Sequence, residues 1–321
     1  MKIVSLFSGA GGLDLGLIQA GHQVIWANDI DPDAVQTYKQ NIGKHAVLAD
    51  IGALSNAELP KADVVVGGFP CQGFSLANLK RSGDDSRNTL YLQFLRVISV
   101  TKPRYFLAEN VRGILSLDHG RAIEKILIDF TEAGYRVRFK LFNVADYGVP
   151  QSRMRVIIAG TREDLPYVAD FEFPEKTHSK KPTEQLKSWR TITDGIAGIP
   201  DPIVYPDAMP NQIFSKYKVT NRNFTGHRQT DPNKPAPTIL ARGNGGGGVC
   251  AIQHPGNLRR LSVRESAAIQ TFPHDFVFFG SMNSQYRQVG NAVPVEFGAI
   301  LGTCLNEAEA KLVKAAKRIA K

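Results

Sequence analysis

Cys71 stands directly after Pro70 and just past three consecutive valines, Val64 to Val66. A thiol in that setting has two readings. It is a small buried apolar side chain, as lone cysteines usually are, or it is a nucleophile at the end of a strand. Pro70 removes a backbone donor and stiffens the loop. With an ordinary thiol pKa of about 8.5, only a few per cent is ionised at neutral pH, yet the thiolate is intrinsically a strong nucleophile. Glu109, followed by Asn110, closes another apolar run. It is either a cap or surface ion pair, or a proton donor beside the thiol. Near the start of the chain, Phe7 leads into Gly9, Gly11 and Gly12, and Asp29 comes 20 residues after Gly9. Glycines let a backbone approach a cofactor, and an acid at that distance accepts from ribose hydroxyls. NAD, flavin and S-adenosylmethionine sites share this layout, so the glycines alone choose none of them.

The segments that must hold these residues alternate. β-Branched runs predict strands at 2–7, 23–28, 46–49, 63–67, 104–108, 136–143 and 155–160. Helical spacing falls at 12–20, 32–41, 86–101 and 119–133, with Pro32 where a first helical turn tolerates it. This order predicts an α/β fold, a doubly wound, mostly parallel Rossmann-like sheet with helices on both faces. The last two strands are joined through Gly148, Val149 and Pro150 with no room for a helix, so they should be antiparallel. Asp29, Asp50, Cys71 and Glu109 then all lie at carboxyl ends of strands, where open α/β sheets bind ligands. After Gly160 the pattern fails: seven of the 18 prolines fall between 166 and 210, and 243–248 reads GNGGGG. A helical pattern returns from about Glu296 to Lys317. The expected division is a catalytic domain of 1–175 plus 282–321, and a smaller loop-rich domain of 176–281.

The composition is 43% hydrophobic and 21% charged, with no run of 18 apolar residues, which argues against a membrane span or a disordered chain. The short apolar run from Ile3 breaks at once into glycines and does not read as a secretory signal, so the cytoplasm is expected. Three widely spaced cysteines suit a reducing compartment, not a disulfide framework or a metal site. The net charge of +9 is unevenly placed. Residues 211–272 hold nine basic and two acidic side chains, a net +7. A basic block beside a near-neutral body is either a solvated face or the footprint of a polyanion binder.

Seven segments in order resemble the cytosine-5 methyltransferases: FSGAGGLDLG from Phe7, ANDID from Ala27, GGFPCQGFS from Gly67, ENV from Glu109, QSRMR from Gln151, RLSVRESAAIQTFP from Arg260 and QVGNAVP from Gln288. The resemblance runs from Lys2 to about Leu305. It implies transfer of a methyl group from S-adenosylmethionine to carbon 5 of a cytosine in a specific double-stranded DNA sequence, leaving S-adenosylhomocysteine and using no metal. Cys71 would be the nucleophile at carbon 6, Glu109 would hold ring nitrogen 3, and Arg155 would bind the 2-carbonyl oxygen. Arg153 would support the loop and a nearby phosphate. The cofactor set implied is Phe7, Gly9, Gly11, Gly12, Asp29 on the ribose, Ile30 over the adenine, Asp50 at its amino group, Ile51, Pro70 and Asn291. Asp29 departs from the family, which more often has the longer Glu there. A cytosine inside a duplex cannot reach Cys71, so base flipping is implied. Gln72, Ser75 and Arg87 around the Cys71 loop are expected at the DNA, with Thr238, Arg228 and Arg242 in the second domain. Thr238 is equally readable as a strand residue, and Arg242 as an exposed loop cation. Arg259 and Arg260 fall to phosphate or to the domain hinge.

A nicotinamide oxidoreductase would explain the glycines and Asp29 but not Cys71 or the basic block. A DNA-binding regulator without catalysis leaves Cys71, Glu109 and Arg155 unused. An RNA methyltransferase of the same chemistry remains the alternative; the long basic, glycine-rich segment after Ser215 favours a duplex reader. A monomer is expected, with any cognate restriction endonuclease acting separately.

Overall fold

In the computed structural model, residues 1–69, 90–215, 230–241, 252–256 and 259–319 are described. Pro70, Cys71, Gln72, Ser75, Arg87, Arg228 and Arg242 lie outside them.

The first half alternates as its sequence requires: β1 (Lys2–Leu6), α1 (Gly12–Gln19), β2 (Gln23–Asp29), α2 (Pro32–Asn41), β3 (Ala46–Leu48), β4 (Val64–Gly67), α3 (Leu90–Thr101), β5 (Tyr105–Val111), α4 (Arg121–Glu132) and β6 (Tyr135–Asn143). Helix α2 starts where its chemistry dictates. Asp31 accepts from the backbone N–H groups of Asp33 and Ala34, and Pro32 occupies a position whose N–H would have no partner. Next come β7 (Gln151–Ser152) and β8 (Met154–Arg162). Seven strands form one sheet in the order β3-β2-β1-β4-β5-β8-β6. Strands β1 to β5 are parallel, whereas β8 runs antiparallel to both β5 and β6. The predicted antiparallel pair is therefore present, and β8 is threaded between its partner and β5. This register sets Glu109 opposite Ile157 and Val111 opposite Arg155. Glu109 and Asn110 lie inside β5, which runs to Val111, three residues past the end at 108 that the sequence suggested.

The strand order reverses between β1 and β4, so the glycine loop after β1 and the Phe69 end of β4 open at the switch point. Two apolar cores cover the faces of the sheet, one containing Ile3, Val66, Phe142, Phe297 and Leu301, the other Val4, Val65, Phe94, Phe106 and Phe130.

Beyond β8 the chain is loop-rich, with β9 (His178–Ser179), β10 (Lys187–Ser188), α5 (Ile192–Gly195), β11 (Ala236–Pro237), α6 (Val263–Ile269), α7 (Met282–Asn291) and α8 (Val295–Ile319). A third core gathers Ile192, Ile239, Leu261, Phe272, Val289 and Val295 with Ala10 from the glycine loop. Helix α8 packs back against α1: a Cβ on Gly16 would sit 2.3 Å from the Val295 carbonyl oxygen, so only glycine permits that approach. Among the described residues no helix is long and apolar enough to cross a membrane.

Candidate active site and cofactor edge

The polar centre is built on two neighbouring antiparallel strands. Arg155 Nε of β8 lies 2.6 Å from Glu109 Oε1 of β5, with the side chains 11% and 13% exposed. The carboxylate reaches toward the end of β4: a Cβ on Gly68 would lie 3.0 Å from Glu109 Oε2. Next in sequence, buried Asn110 donates from Nδ2 to the Phe69 carbonyl at 3.0 Å and accepts the Val111 N–H at 2.8 Å. Asn110 thus pins the backbone just ahead of Pro70 and Cys71. A carboxylate and a guanidinium held as a partly exposed pair offer an acceptor or proton donor beside a cationic donor, the set needed to grip both edges of a small polar ring.

Arg153 points elsewhere. It is 1% exposed, and its guanidinium donates to the carbonyls of Ile239 at 2.8 Å, Gly290 at 3.0 Å and Ala292 at 2.9 Å. Burial, with Arg155 nearby, pulls its pKa well down. Arg153 holds backbone at Ile239, Gly290 and Ala292, and a guanidinium so enclosed cannot meet a phosphate. Beside it Gln151 donates to Gln270 Oε1 at 2.8 Å and accepts the Ile239 N–H at 2.9 Å. Gln270 in turn donates to the Val289 and Ala292 carbonyls. This clamp draws the segment around Thr238, and Asn291 at the end of α7, onto the catalytic sheet. The clamp glutamines were missed because 119 residues separate them and nothing local marks the pairing. Asn291 itself is exposed, and Thr238 Oγ1 donates to the Ser152 carbonyl at 2.8 Å.

At the glycine edge, Phe7, Gly9 and Gly11 all have positive φ. A Cβ on Gly9 would meet nothing within 4 Å, so the space above it is open. Gly11 and Gly12 are small for another reason: a Cβ there would strike Ile42 at 2.2 Å or the Val293 carbonyl oxygen at 2.4 Å. They serve packing as well as any ligand. Asp29 Oδ2 accepts the Gly9 N–H at 2.7 Å and Oδ1 the Asp31 N–H at 2.9 Å. Burial raises its pKa. Ile30 beside it is an apolar side chain 69% exposed. Asp50 is exposed after β3 and accepts the Gly52 N–H through Oδ1 at 2.9 Å. Ile51 corrects the expectation for its side chain, which is 2% exposed in the core and leaves only backbone for a ligand.

Asp14, inside the first motif, went unassigned in the sequence. It is 1% exposed and accepts Ser5 Oγ at 2.7 Å and Tyr38 Oη at 2.8 Å; burial lifts its pKa to about 6. An acid among the apolar residues of an opening helical turn was the available signal.

Part of the basic block proves internal. Arg259 makes a two-pronged bond to Glu265, 2.7 Å on each oxygen, and lies against the Phe214 ring. Arg260 is 3% exposed over the Tyr286 ring. Arg264, 0% exposed, donates to the carbonyls of Pro210, Pro273 and Phe276. The phosphate reading of Arg259 and Arg260 fails on burial, and three of the nine counted cations organise the fold.

A mostly parallel sheet with this strand order, a glycine loop at the switch point and an acid–guanidinium pair on β5 and β8 defines an α/β fold of the methyltransferase kind. The same fold appears in an E. coli prophage-encoded putative DNA modification methyltransferase, with TM-score 0.70 and 24% identity over 98% of this chain and 99% of that one. It appears again in the Dnmt2 methyltransferase of S. pombe, with TM-score 0.71 and 21% identity over 96% of this chain and 98% of that one. The family model for C-5 cytosine-specific DNA methylases matches residues 1–306. Relatives include the Type II methyltransferases M.NgoFVII of Neisseria gonorrhoeae, 38% identical over 91% of this chain and 83% of its own length, and M.FnuDI of Fusobacterium nucleatum, 37% identical over 96% and 94%. The chain belongs to the C-5 cytosine-specific DNA methylase family and is a DNA cytosine-5 methyltransferase.

Proposed function

We propose that the enzyme methylates one cytosine of a specific double-stranded DNA sequence, with Cys71 adding to carbon 6 of the flipped base. The observation that carries this reading is the Glu109–Arg155 pair on adjacent strands β5 and β8, 2.6 Å apart. Glu109 meets ring nitrogen 3 and supplies a proton as the thiolate electrons enter the ring; Arg155 holds the 2-carbonyl oxygen where negative charge grows. Addition turns carbon 5 into a nucleophilic enamine carbon. Once carbon 5 has been methylated, loss of its proton restores the ring double bond and expels Cys71 as thiolate. Arg153 acts through the backbone it holds, without touching the base. Residues 176–281 supply DNA reading, with Thr238, Arg228 and Arg242 among the contacts, and Gln72, Ser75 and Arg87 meet the DNA from the catalytic side.

The cofactor edge fits S-adenosylmethionine, which supplies an electrophilic methyl group when bound. Open space over Gly9, the exposed apolar Ile30 beside Asp29 and the exposed Asp50 support that fit. Phe7, Gly11, Gly12, the Ile51 backbone, Pro70 and Asn291 complete the expected cradle. Asp29, shorter than glutamate, is engaged by the glycine loop it faces, and presents its remaining lone pairs to the ribose. The Type II names of the relatives support a protective role beside a separate restriction endonuclease. Bisulfite sequencing of DNA from cells expressing the protein tests the whole reading: one protected cytosine at a fixed place in a recurring short sequence is expected, and uniform conversion would overturn it.

A further inference from the structure

Arg96 lies in the middle of α3, the helix that follows the Cys71 loop in sequence, and it faces a turn on the cofactor side. Its guanidinium spends its donors on one short stretch of chain. Nη2 donates to the Ile51 carbonyl at 2.7 Å, and Nη1 donates to the Leu54 carbonyl at 3.0 Å and to Asn56 Oδ1 at 2.8 Å. Nε is held by Gln93 Oε1 at 2.7 Å, one helical turn earlier. All four acceptors are neutral oxygens. A planar fork with fixed donor directions suits three acceptors in one turn, where a lysine ammonium would offer a single flexible point.

The arrangement reaches Asp50 through one rigid unit. The peptide between Ile51 and Gly52 carries the carbonyl that Arg96 holds, and its N–H is the one donated to Asp50 Oδ1 at 2.9 Å. A peptide is planar, so a donor on one end fixes the orientation of the other. The chain on one side is anchored as well, since the Ile51 side chain is buried in the same core as Phe94 and Val97 of α3. Asp50 is exposed, and among the described residues its carboxylate accepts from the Gly52 N–H alone. The relay runs from Arg96, through one peptide, to the carboxylate.

We propose that Arg96 is the positioning residue for adenine selection: by holding the Ile51–Gly52 peptide it aims the Asp50 carboxylate at the amino group of the cofactor's base. This rests on the reading of Asp50 as the acceptor for that group. A site built around an acceptor rejects a ligand that brings a second acceptor to it, because the two are left unpaired. Selection should therefore be measurable as a ratio of affinities, separate from overall affinity and from turnover.

The test is calorimetric binding of S-adenosylhomocysteine and of S-inosylhomocysteine, in which a carbonyl oxygen replaces the amino group, to the intact protein. Wild type should prefer the adenine compound by about tenfold or more, the scale of a hydrogen bond made or lost. Arg96→Ala should weaken S-adenosylhomocysteine by about tenfold and shrink the ratio toward one. Asn56→Ala removes one acceptor on the exposed side of the turn and leaves the core intact, so it should lower the ratio by a smaller factor even if Arg96→Ala fails to fold. Asp50→Ala separates the two claims. If Asp50→Ala keeps the wild-type ratio, the reading of Asp50 is wrong and the proposal falls with it. If Asp50→Ala abolishes the ratio while Arg96→Ala, or Asn56→Ala in its place, leaves the ratio at the wild-type value, Asp50 stands and the role of Arg96 is overturned. Equal weakening of both ligands in Arg96→Ala would mark a structural arginine only and would also overturn it.

Discussion

Arg155 Nε and Glu109 Oε1 face each other at 2.6 Å across paired strands β5 and β8, each side chain about nine-tenths covered. The pair is close enough to fix both groups before any base arrives, and exposed enough for a base to reach them. Preorganised charge of this kind needs little rearrangement during reaction. Glu109→Gln keeps the shape and removes the acid. Methyl transfer should fall by roughly 100-fold to 10,000-fold, the range for general acid–base help, with S-adenosylhomocysteine affinity little changed. A loss below about tenfold in single-turnover rate would remove Glu109 from the chemistry.

The buried carboxyl of Asp14 makes stability depend on pH. Its folded pKa, about 6, lies above the ordinary carboxyl value of 3.8, so the folded state holds the proton more tightly. Stability from this group is fully present below the unfolded pKa and is lost as pH rises through the folded value. The total is on the order of 3 kcal/mol at about 1.4 kcal/mol per pKa unit. Unfolding of wild type and Asp14→Asn in denaturant from pH 4 to 8 measures it. The stability difference should move in favour of the variant up to about pH 6 and then level off. A difference that is flat with pH would contradict a buried, titrating Asp14.

Arg153→Met takes the donor from the buried carbonyls of Ile239 and Gly290, while the Ala292 carbonyl keeps its bond from Gln270. Each unpaired buried acceptor costs about 1 to 3 kcal/mol. Thermal unfolding should come at least about 5 °C earlier, with the salt dependence of DNA binding unchanged. A shallower salt slope at unaltered stability would return Arg153 to the phosphates.

Much of the catalytic half was legible in the sequence, because strand and helix signals are local. The three valines before Gly67 read as a buried strand, Pro32 after Asp31 marked the start of α2, and Gly148 to Pro150 forced an antiparallel return. Asp29 and Glu109 could be singled out because each closes an apolar run, and the structure puts Asp29 last in β2 and Glu109 near the end of β5. What escaped depends on partners far along the chain. No local signal sets β8 between β5 and β6, and none tells a covered arginine from a solvated one. Arg264 looks like any surface cation until the carbonyls of Pro210 and Phe276 close around it. Glu265 sits three residues after Ser262 and completes a capping box at the start of α6. Only the fold brings Arg259 to that same carboxylate.

The correction of Arg260 changes what its removal should do. Arg242→Ala, the proposed base reader, should lower the ratio of target to scrambled duplex binding by a factor corresponding to about 1 to 3 kcal/mol. Arg260→Ala should instead lower the melting temperature and leave the salt slope as it was, since the side chain is buried over Tyr286. Fluorescence anisotropy on both duplexes across a salt series distinguishes them. Identical behaviour of the two variants would sink this division of labour.

The central claim is covalent catalysis by Cys71. Duplex DNA carrying 5-fluorocytosine at the mapped target stalls the reaction after methylation, because fluorine cannot leave carbon 5 as a proton does. With S-adenosylmethionine present, the wild-type protein should give an adduct that survives denaturing electrophoresis, and peptide mapping should locate it at Cys71. Cys71→Ser should bind the duplex and form no adduct. An adduct that persists in Cys71→Ser, or that maps to another residue, would contradict the account.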